Sequence, residues 1–211
     1  MNDLLRQLIE RQRQRMRELR DDASDLADTV ADEAWDKFEI AIDEATEDSY
    51  MFDFASSTQI SLAATLWLSY DEAFERHVLA LLERLEGELR AAGAPESCLE
   101  VARIGLAGLR KGLKLQLQAH ELIGQAIERA KPGLIGMLFM SRDPASDAWD
   151  EELRDNARRL REKLLDLRGK IIELIRAETM AAIQAARLDY IEALDRLSHE
   201  MDAAPNHPEA A

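Results

Sequence analysis

The chain has 211 residues, of which 5% are aromatic and 33% are charged, and its formal net charge is -15. A single cysteine, Cys98, excludes an intramolecular disulfide and a cysteine-rich metal site, and it is typical of a reducing compartment. The negative charge disfavours nucleic-acid binding, and the charged N-terminal segment contains no apolar signal sequence, so we expect a cytoplasmic protein without nucleic-acid partners.

Four helical segments are predicted, separated by three stretches rich in turn-forming residues. These stretches are SYMFDFASSTQ at 49–59, the AAGAPES segment that contains Gly93, and AKPGLIGMLFMSRDPASD at 130–147. Apolar residues recur at helical spacing between them, and no alternating strand pattern competes. The predicted helices, numbered first to fourth, cover about 3–48, 57–92, 96–131 and 147–202.

Short connections between consecutive helices favour antiparallel neighbours. We therefore expect an all-α fold, an elongated antiparallel four-helix bundle with coiled-coil character. It would form one domain over residues 1–203, followed by a disordered tail at 204–211.

The first and fourth helices are predicted to be longer than the other two, so their ends would project as a two-helix stalk. Apolar residues on this stalk, such as Leu5, Leu8 and Leu197, would be exposed and would need to be covered. Self-association into a homo-oligomer or a protein partner would cover them. The alternative is a frayed, solvated helix end.

The fourth helix contains a heptad pattern, with apolar residues at alternating steps of three and four. Only Glu178 interrupts it. The predicted seam is Leu153, Ala157, Leu160, Leu164, Leu167, Ile171, Leu174, Glu178, Ala181, Ala185 and Leu188.

Most of the net negative charge lies in one segment, most of which belongs to the first helix. Residues 21–53 contain thirteen acidic residues and one lysine. Seven of the acids recur at helical spacing, where like charges repel one another and require compensation. We consider three sources: another helix of the bundle, an external basic partner, and bound cations. This predicted acidic surface comprises Asp21, Asp25, Asp28, Asp32, Asp36, Glu39 and Asp43.

The third helix contains GLAGLRKGLKLQLQ at 105–118, a basic segment without acids. Its small residues are predicted to allow close packing of a neighbouring helix, or else to line a lipid or small-ligand groove. These small residues are Gly105, Gly108, Gly112, Ala119, Ala126 and Ala130. The predicted basic surface, placed to compensate the first helix, comprises Arg103, Arg110, Lys111 and Lys114.

A buried polar cluster is predicted where the third helix meets the first two. Gln116 and His120 fall within an apolar arc roughly 220° wide on the helical wheel. Either these side chains form hydrogen bonds within the core and fix the helix register, or they line a ligand pocket. The predicted cluster comprises Gln116, His120, Tyr70, Trp67 and Trp35.

No sequence motif for metal binding, phosphate binding or nucleophilic catalysis is present. We therefore expect no enzyme activity and no cofactor. The favoured function is a non-enzymatic interaction protein, an adaptor, scaffold or chaperone-like protein that acts through its acidic first helix and its stalk. The alternative is an amphipathic helical protein bound to lipid or granule surfaces through segments such as GLIGMLFM. A third reading is an acidic DNA mimic or a small-ligand-binding bundle.

Overall fold

The computed structural model describes residues 2–47, 56–96, 99, 113–130 and 147–203. Every regular element in this part of the chain is helical, which confirms the all-α prediction. The elements are α1 (Asn2–Asp21), α2 (Ala23–Glu47), α3 (Ser56–Phe74), a π-helical turn (Glu75–Leu79), α4 (Ala80–Ala91), α5 (Leu113–Ala130), α6 (Asp147–Leu165) and α7 (Arg168–Ala203).

The second predicted helix agrees with the structure to within one residue at each end, since α3, the π-helical turn and α4 follow one another without a gap. Gly93 ends α4 with φ +85°, a conformation that glycine adopts without strain. Its amide donates to the carbonyl of Arg90 at 3.0 Å, and the Ala94 amide donates to the carbonyl of Leu89 at 3.1 Å. This pair of bonds is the Schellman motif, which satisfies the last carbonyls of the helix.

The first and fourth predicted helices are each divided in two, so the predicted count of four helices is not confirmed. The first is interrupted at Asp22, where the backbone bonds nevertheless continue, and Leu26 donates to Asp22 at 3.0 Å. The fourth is interrupted at Asp166 and Leu167, where Leu167 donates to Leu164 at 3.0 Å in a tighter turn.

The Cα positions group the chain into two compact units. Unit 1 comprises Met1–Ala27, Phe74–Lys111 and Ala177–Ala211, and unit 2 comprises Asp28–Ala73 and Gly112–Arg176. Residues of α2 and of α7 belong to both units. The expectation of one domain over 1–203 stays a prediction, and the predicted tail at 204–211 lies outside the described residues.

The core of unit 1 is formed by α1, α4 and the second half of α7. Leu5 and Leu197 are buried in it, and Leu8 is half-buried. The prediction that these three residues are exposed on a stalk is therefore wrong. The reason is that α1 packs on α4, and α1 is also tied to α7 by ion pairs, Arg6 with Asp202 at 2.8 Å and Arg13 with Asp195 at 2.7 Å.

A polar network crosses this core. Gln12 is fully buried, its Nε2 donates to the carbonyl of Leu85 at 2.9 Å, and its Oε1 accepts from the hydroxyl of Tyr190 at 2.8 Å. One glutamine thus joins α1, α4 and α7. Because each of its polar atoms has a specific partner, the network fixes the register of the three helices.

The core of unit 2 is formed by α2, α3, α5, α6 and the first turns of α7. Trp35 and Phe38 of α2 are fully buried and meet edge to face, with ring centroids 5.7 Å apart. The helices α5 and α6 pack against each other. Gly124 of α5 lies so close to α3 that a Cβ atom there would be 2.3 Å from Nε2 of Gln59.

The buried line of α6 and α7 follows the predicted seam only from Ala157 to Ile171. Beyond Ile171 the predicted positions Ala181, Ala185 and Leu188 are exposed, and Leu188 is 52% exposed. The seam prediction is wrong there because the buried residues advance by three consecutive four-residue steps, which moves the line to another side of the helix. The buried residues after Ile171 are Ile175, Thr179, Ile183, Ala186, Tyr190, Ala193, Leu194 and Leu197.

Candidate functional site

The predicted acidic surface lies on two helices, with Asp21 at the end of α1 and the other six residues on α2. Two of the acids are paired with arginines of unit 2. Asp28 Oδ1 lies 2.6 Å from Nε of Arg176, and Asp43 Oδ1 lies 2.7 Å from Nε of Arg161. The hydrogen bond and the charge of Asp43 raise the pKa of the Arg161 guanidinium. Internal compensation is thus present in unit 2.

These cations come from α6 and α7 and not from the predicted basic surface. Arg103, Arg110 and Lys111 lie outside the described residues, and only the backbone of Lys114 is described, within α5. The pairing of the basic surface with the first helix stays a prediction.

Two further acids have neighbours within their own helix. Asp21 accepts from Arg20 at 2.8 Å, and Glu39 accepts from the indole Nε1 of Trp35 at 2.9 Å. Asp25 is exposed.

One strip of the α2 surface contains acidic residues that have no cation beside them among the described residues. We define the acidic strip as Asp32, Asp36, Ile40 and Glu44, four exposed residues at four-residue spacing. Within the described ranges, none of its three carboxylates forms an ion pair or hydrogen bond. Ile40 is 59% exposed although it is a large apolar residue. Sequence reasoning missed Ile40 and Glu44, although their spacing from Asp36 was a usable signal.

The other sides of α2 anchor the helix that carries the acidic strip. Lys37, the one lysine of α2, lies 2.8 Å from Glu72 of α3 and 3.8 Å from Glu33, so it pairs with acids that do not belong to the strip. Phe38 and Ile42, on the opposite side of the helix, are fully buried. The helix is therefore anchored on one side and presents negative charge on the other.

The predicted buried polar cluster does not form. Tyr70 and Trp35 are buried and Trp67 is half-buried, but Gln116 and His120 are exposed. The predicted apolar arc was too wide, because the buried residues of α5 are Leu115, Ala119, Ile123, Ala126, Ile127 and Ala130.

The register of the third predicted helix also differs. Gln59 Nε2 donates to the carbonyl oxygen of His120 at 2.8 Å and lies 3.2 Å from its Nδ1. Gln59 is eight residues before Trp67, roughly 12 Å along the helix axis. His120 is therefore level with the start of α3, away from the position predicted for it.

The small residues of the third predicted helix are buried where they are described. Ala119, Ala126 and Ala130 face the core, in agreement with close packing, whereas the three glycines at 105, 108 and 112 lie outside the described residues. Leu117, two residues before Ala119 on the same helix, is 69% exposed.

No family model, curated protein or solved structure matches this chain. Any function must therefore be argued from its own surfaces. No group of three or more His, Cys, Asp or Glu side chains is arranged to hold a metal ion in the part of the chain that the structure describes. Among the same residues, no helix combines the length and the apolar character required to cross a bilayer.

Unit 1 contains two concave sites. One, of about 310 Å³, lies where α1 meets α2 and α4. Its charges balance, since two arginines and two acids surround four leucines. The lining residues are Arg15, Glu18, Leu19, Asp22, Leu26, Leu81, Arg84 and Leu85.

The second concave site, which we call the arginine pocket, has a volume of about 390 Å³ and no acidic lining residue. Arg13, Arg17 and Arg20 belong to an arginine-rich segment of the first twenty residues, where the sequence predicted no pocket. The lining residues are Arg13, Arg17, Arg20, Arg187 and Ile191.

Proposed function

We propose that the protein acts without catalysis, in the cytoplasm, as an interaction protein, and that the acidic strip of α2 binds a basic segment of a protein partner. The observation that carries this proposal is the strip itself, in which Asp32, Asp36 and Glu44 are exposed and lack cations among the described residues. Like charges one turn apart repel each other, and a partner's lysines or arginines relieve that repulsion.

Ile40 gives the strip an apolar contact in addition to charge. It lies one turn after Asp36 and one turn before Glu44, so a basic amphipathic helix with an apolar residue between its cations is complementary to it. Charge complementarity raises the association rate, whereas a buried apolar contact slows dissociation. We therefore expect binding that is weakened but not abolished by salt.

The proposal is tested by comparing the proteins captured by wild type and by the triple variant Asp32→Asn, Asp36→Asn, Ile40→Ser. Each captured candidate is then expressed and titrated against both proteins. We expect at least one basic partner whose affinity for the variant is lower by about tenfold or more. Asparagine keeps the shape of aspartate, so the two aspartate changes remove charge, whereas Ile40→Ser removes the apolar contact.

A matched control changes exposed glutamates elsewhere in the chain. Glu83→Gln with Glu200→Gln removes two charges, as the two aspartate changes do, from positions on unit 1. The control is expected to bind the partner like wild type. If every captured protein binds the variant and wild type equally, or if the control weakens binding as much, the acidic strip is not the binding surface.

Self-association remains part of this proposal, although its original basis is gone because Leu5 and Leu197 are buried. Exposed apolar residues of unit 1, such as Leu4 and Leu188, give it a different basis. Light scattering at tens of micromolar tests it. A strictly monomeric protein would leave only partner binding.

A second candidate function is binding to a lipid or granule surface. It is favoured by the exposure of Ile60 and Leu68 of α3 and of Leu117 of α5, three large apolar side chains in unit 2. Co-sedimentation with anionic liposomes tests this candidate. Binding that is lost in Ile60→Ser with Leu68→Ser supports it, and wild type that stays in solution removes it.

A further inference from the structure

The arginine pocket concentrates positive charge in a strongly acidic protein. Acidic residues outnumber basic ones by 42 to 27 in the sequence, yet four of the five residues that line this pocket are arginines. Arginines that line one concave site concentrate like charge there, and like charges repel one another. Such an arrangement is stabilised when an anion occupies it.

Two of the four arginines are already neutralised. The Arg13 guanidinium pairs with Asp195 at 2.7 Å and also with Glu10, and Arg20 pairs with Asp21 at 2.8 Å. The other two have only neutral partners. Arg17 donates to Oε1 of Gln14 at 3.4 Å.

Arg187 is held in the same way, by Oε1 of Gln184 at 3.2 and 3.3 Å. Within the described residues, no carboxylate pairs with Arg17 or Arg187. A glutamine oxygen orients a guanidinium without cancelling its charge. Three carboxylates thus pair with two of the four arginines, which leaves a net surplus of one positive charge, and Arg17 and Arg187 are the two arginines without an acidic partner among the described residues.

This surplus arises where a ladder of ion pairs between α1 and α7 stops. Arg6 pairs with Asp202, and seven residues later Arg13 pairs with Asp195. The next step of seven places Arg20 opposite Leu188, where the ladder would require an acid. The cations continue along α1, but their partners on α7 end.

The two helices are held in register behind the pocket. Gln12 precedes Arg13 and Tyr190 precedes Ile191, and the buried hydrogen bond between Gln12 and Tyr190 is 2.8 Å long. A site is more effective when the residues that form it are positioned before the ligand arrives. The network supplies that positioning.

We propose that the arginine pocket binds the phosphate monoester group of a phosphorylated molecule. Such a group has a charge of about -1.5 to -2 at neutral pH, opposite in sign to the unpaired guanidinium groups of Arg17 and Arg187. Two guanidinium groups recognise phosphate oxygens through paired hydrogen bonds that lysine cannot reproduce. The pocket volume is in the range of small-ligand sites, and Ile191 offers an apolar contact to the rest of the molecule.

Calorimetric titration of the full chain tests the proposal with three probes: glucose 6-phosphate, glycerol 3-phosphate, and phosphatidylcholine vesicles containing phosphatidic acid. Glucose and vesicles of phosphatidylcholine alone are the uncharged controls. We expect submillimolar binding of at least one phosphate probe. In Arg17→Gln with Arg187→Gln the affinity should fall by about tenfold or more.

The matched control is Arg11→Gln with Arg196→Gln, which removes the same charge from exposed positions of α1 and α7 that do not line the pocket. It should bind within about twofold of wild type, since distant exposed charges are largely screened by salt. Circular dichroism and melting curves without ligand show whether both double variants keep the fold. If the pocket double variant does not keep the fold, the single variants Arg17→Gln and Arg187→Gln are tested in its place.

The probes also identify where the phosphate is carried. Binding of a soluble probe that needs Arg17 and Arg187 indicates a small molecule, whereas binding only to the phosphatidic acid vesicles indicates a lipid headgroup. Failure of all three probes overturns the proposal. Equal weakening in the pocket variant and in the Arg11→Gln, Arg196→Gln control also overturns it, because the effect would then reflect overall charge.

Discussion

The network of Gln12, Tyr190 and Leu85 allows a quantitative test of how unit 1 is held together. Tyr190→Phe removes only the hydroxyl and keeps the ring, which is buried with its residue 1% exposed. Oε1 of Gln12 then loses its donor at 2.8 Å while it remains out of contact with water. Leaving a buried acceptor unpaired costs about 1 to 3 kcal/mol. For a chain of this length that corresponds to a melting temperature lower by roughly 2 to 10 °C.

The companion change Gln12→Leu removes the other side of the same bond. It leaves the Tyr190 hydroxyl without an acceptor and takes a donor from the carbonyl of Leu85, so a loss of about 1 to 3 kcal/mol is again expected. In the double variant both groups are apolar and neither is left unpaired. Its loss of unfolding free energy should therefore be smaller than the sum of the two single losses by about 1 kcal/mol or more.

Urea unfolding followed by far-ultraviolet circular dichroism measures all four free energies. If the two single losses add to within about 0.3 kcal/mol of the double variant, the groups are not coupled and the network does not hold the helices. A Tyr190→Phe loss below about 0.3 kcal/mol would have the same meaning.

The same tyrosine predicts a pH dependence. Burial raises the pKa of Tyr190, and the negative charges of Glu86 and Glu88 add to the effect. The folded-state pKa lies above the unfolded value of about 10, so the stability that this tyrosine contributes is fully present below pH 10. It is lost as the pH rises from there toward the folded-state pKa. Wild type should lose more stability between about pH 9.5 and 11 than Tyr190→Phe does, and equal losses would contradict the assignment.

Three further changes are predicted to alter the free energy of unfolding, each measured in urea. Thr179→Val should raise this free energy by about 1 kcal/mol, because the buried Thr179 hydroxyl has no hydrogen-bond partner among the described residues. A free energy of unfolding below that of wild type would show that the hydroxyl has a partner. Gly124→Ala alone should change the free energy of unfolding little, since better helix propensity offsets displacement of the Gln59 amide. In a Gln59→Ala background the same change should raise the free energy of unfolding by about 0.5 to 1 kcal/mol. Asp43→Asn should lower it slightly by breaking the exposed pair with Arg161, and a loss that persists in 1 M salt would rule out an ion-pair effect.

Helix positions could be predicted from the sequence because their signals are local. The segment from Ser56 to Ala91 was predicted as 57–92, and Gly93 stops it through its own backbone conformation. The interruptions at Asp22 and Leu167 were missed because backbone hydrogen bonds continue through or around them. A short irregularity of this kind leaves the apolar spacing on either side nearly unchanged.

The buried side of a helix was harder to predict because it depends on which neighbours the helix has. A strict heptad was assumed for the fourth predicted helix, whereas an α-helix has 3.6 residues per turn and drifts by about 20° per heptad. Leu188 is exposed and Tyr190 buried as a result. His120 was placed in the core for a related reason, since the apolar arc on the wheel is wider than the contact that α5 makes.

The functional surfaces were predictable only in part. The acids of α2 form a local pattern that the sequence shows, but Arg161, the partner of Asp43, is 118 residues away. Pairing of that kind requires the fold. Gln12 offered a usable signal, as a single polar residue at core spacing among Ile9, Met16 and Leu19.

The shift in the line of buried residues along α7 also determines which changes in helix length the core can accommodate. A helix with a heptad seam tolerates insertion of seven residues, because the seam returns to the same side. Next to Ile175 and Thr179 the steps are all of four residues, yet a seven-residue insertion there would rotate the following segment by only about 20°. An eleven-residue insertion would rotate it by about 20° in the opposite direction, so Ile183 and Tyr190 would stay on the same side of the helix in both cases. Insertions of seven or eleven residues at this point should therefore be equivalent for the core, with a matching change in α2, which pairs with this part of α7 through Asp28 and Arg176.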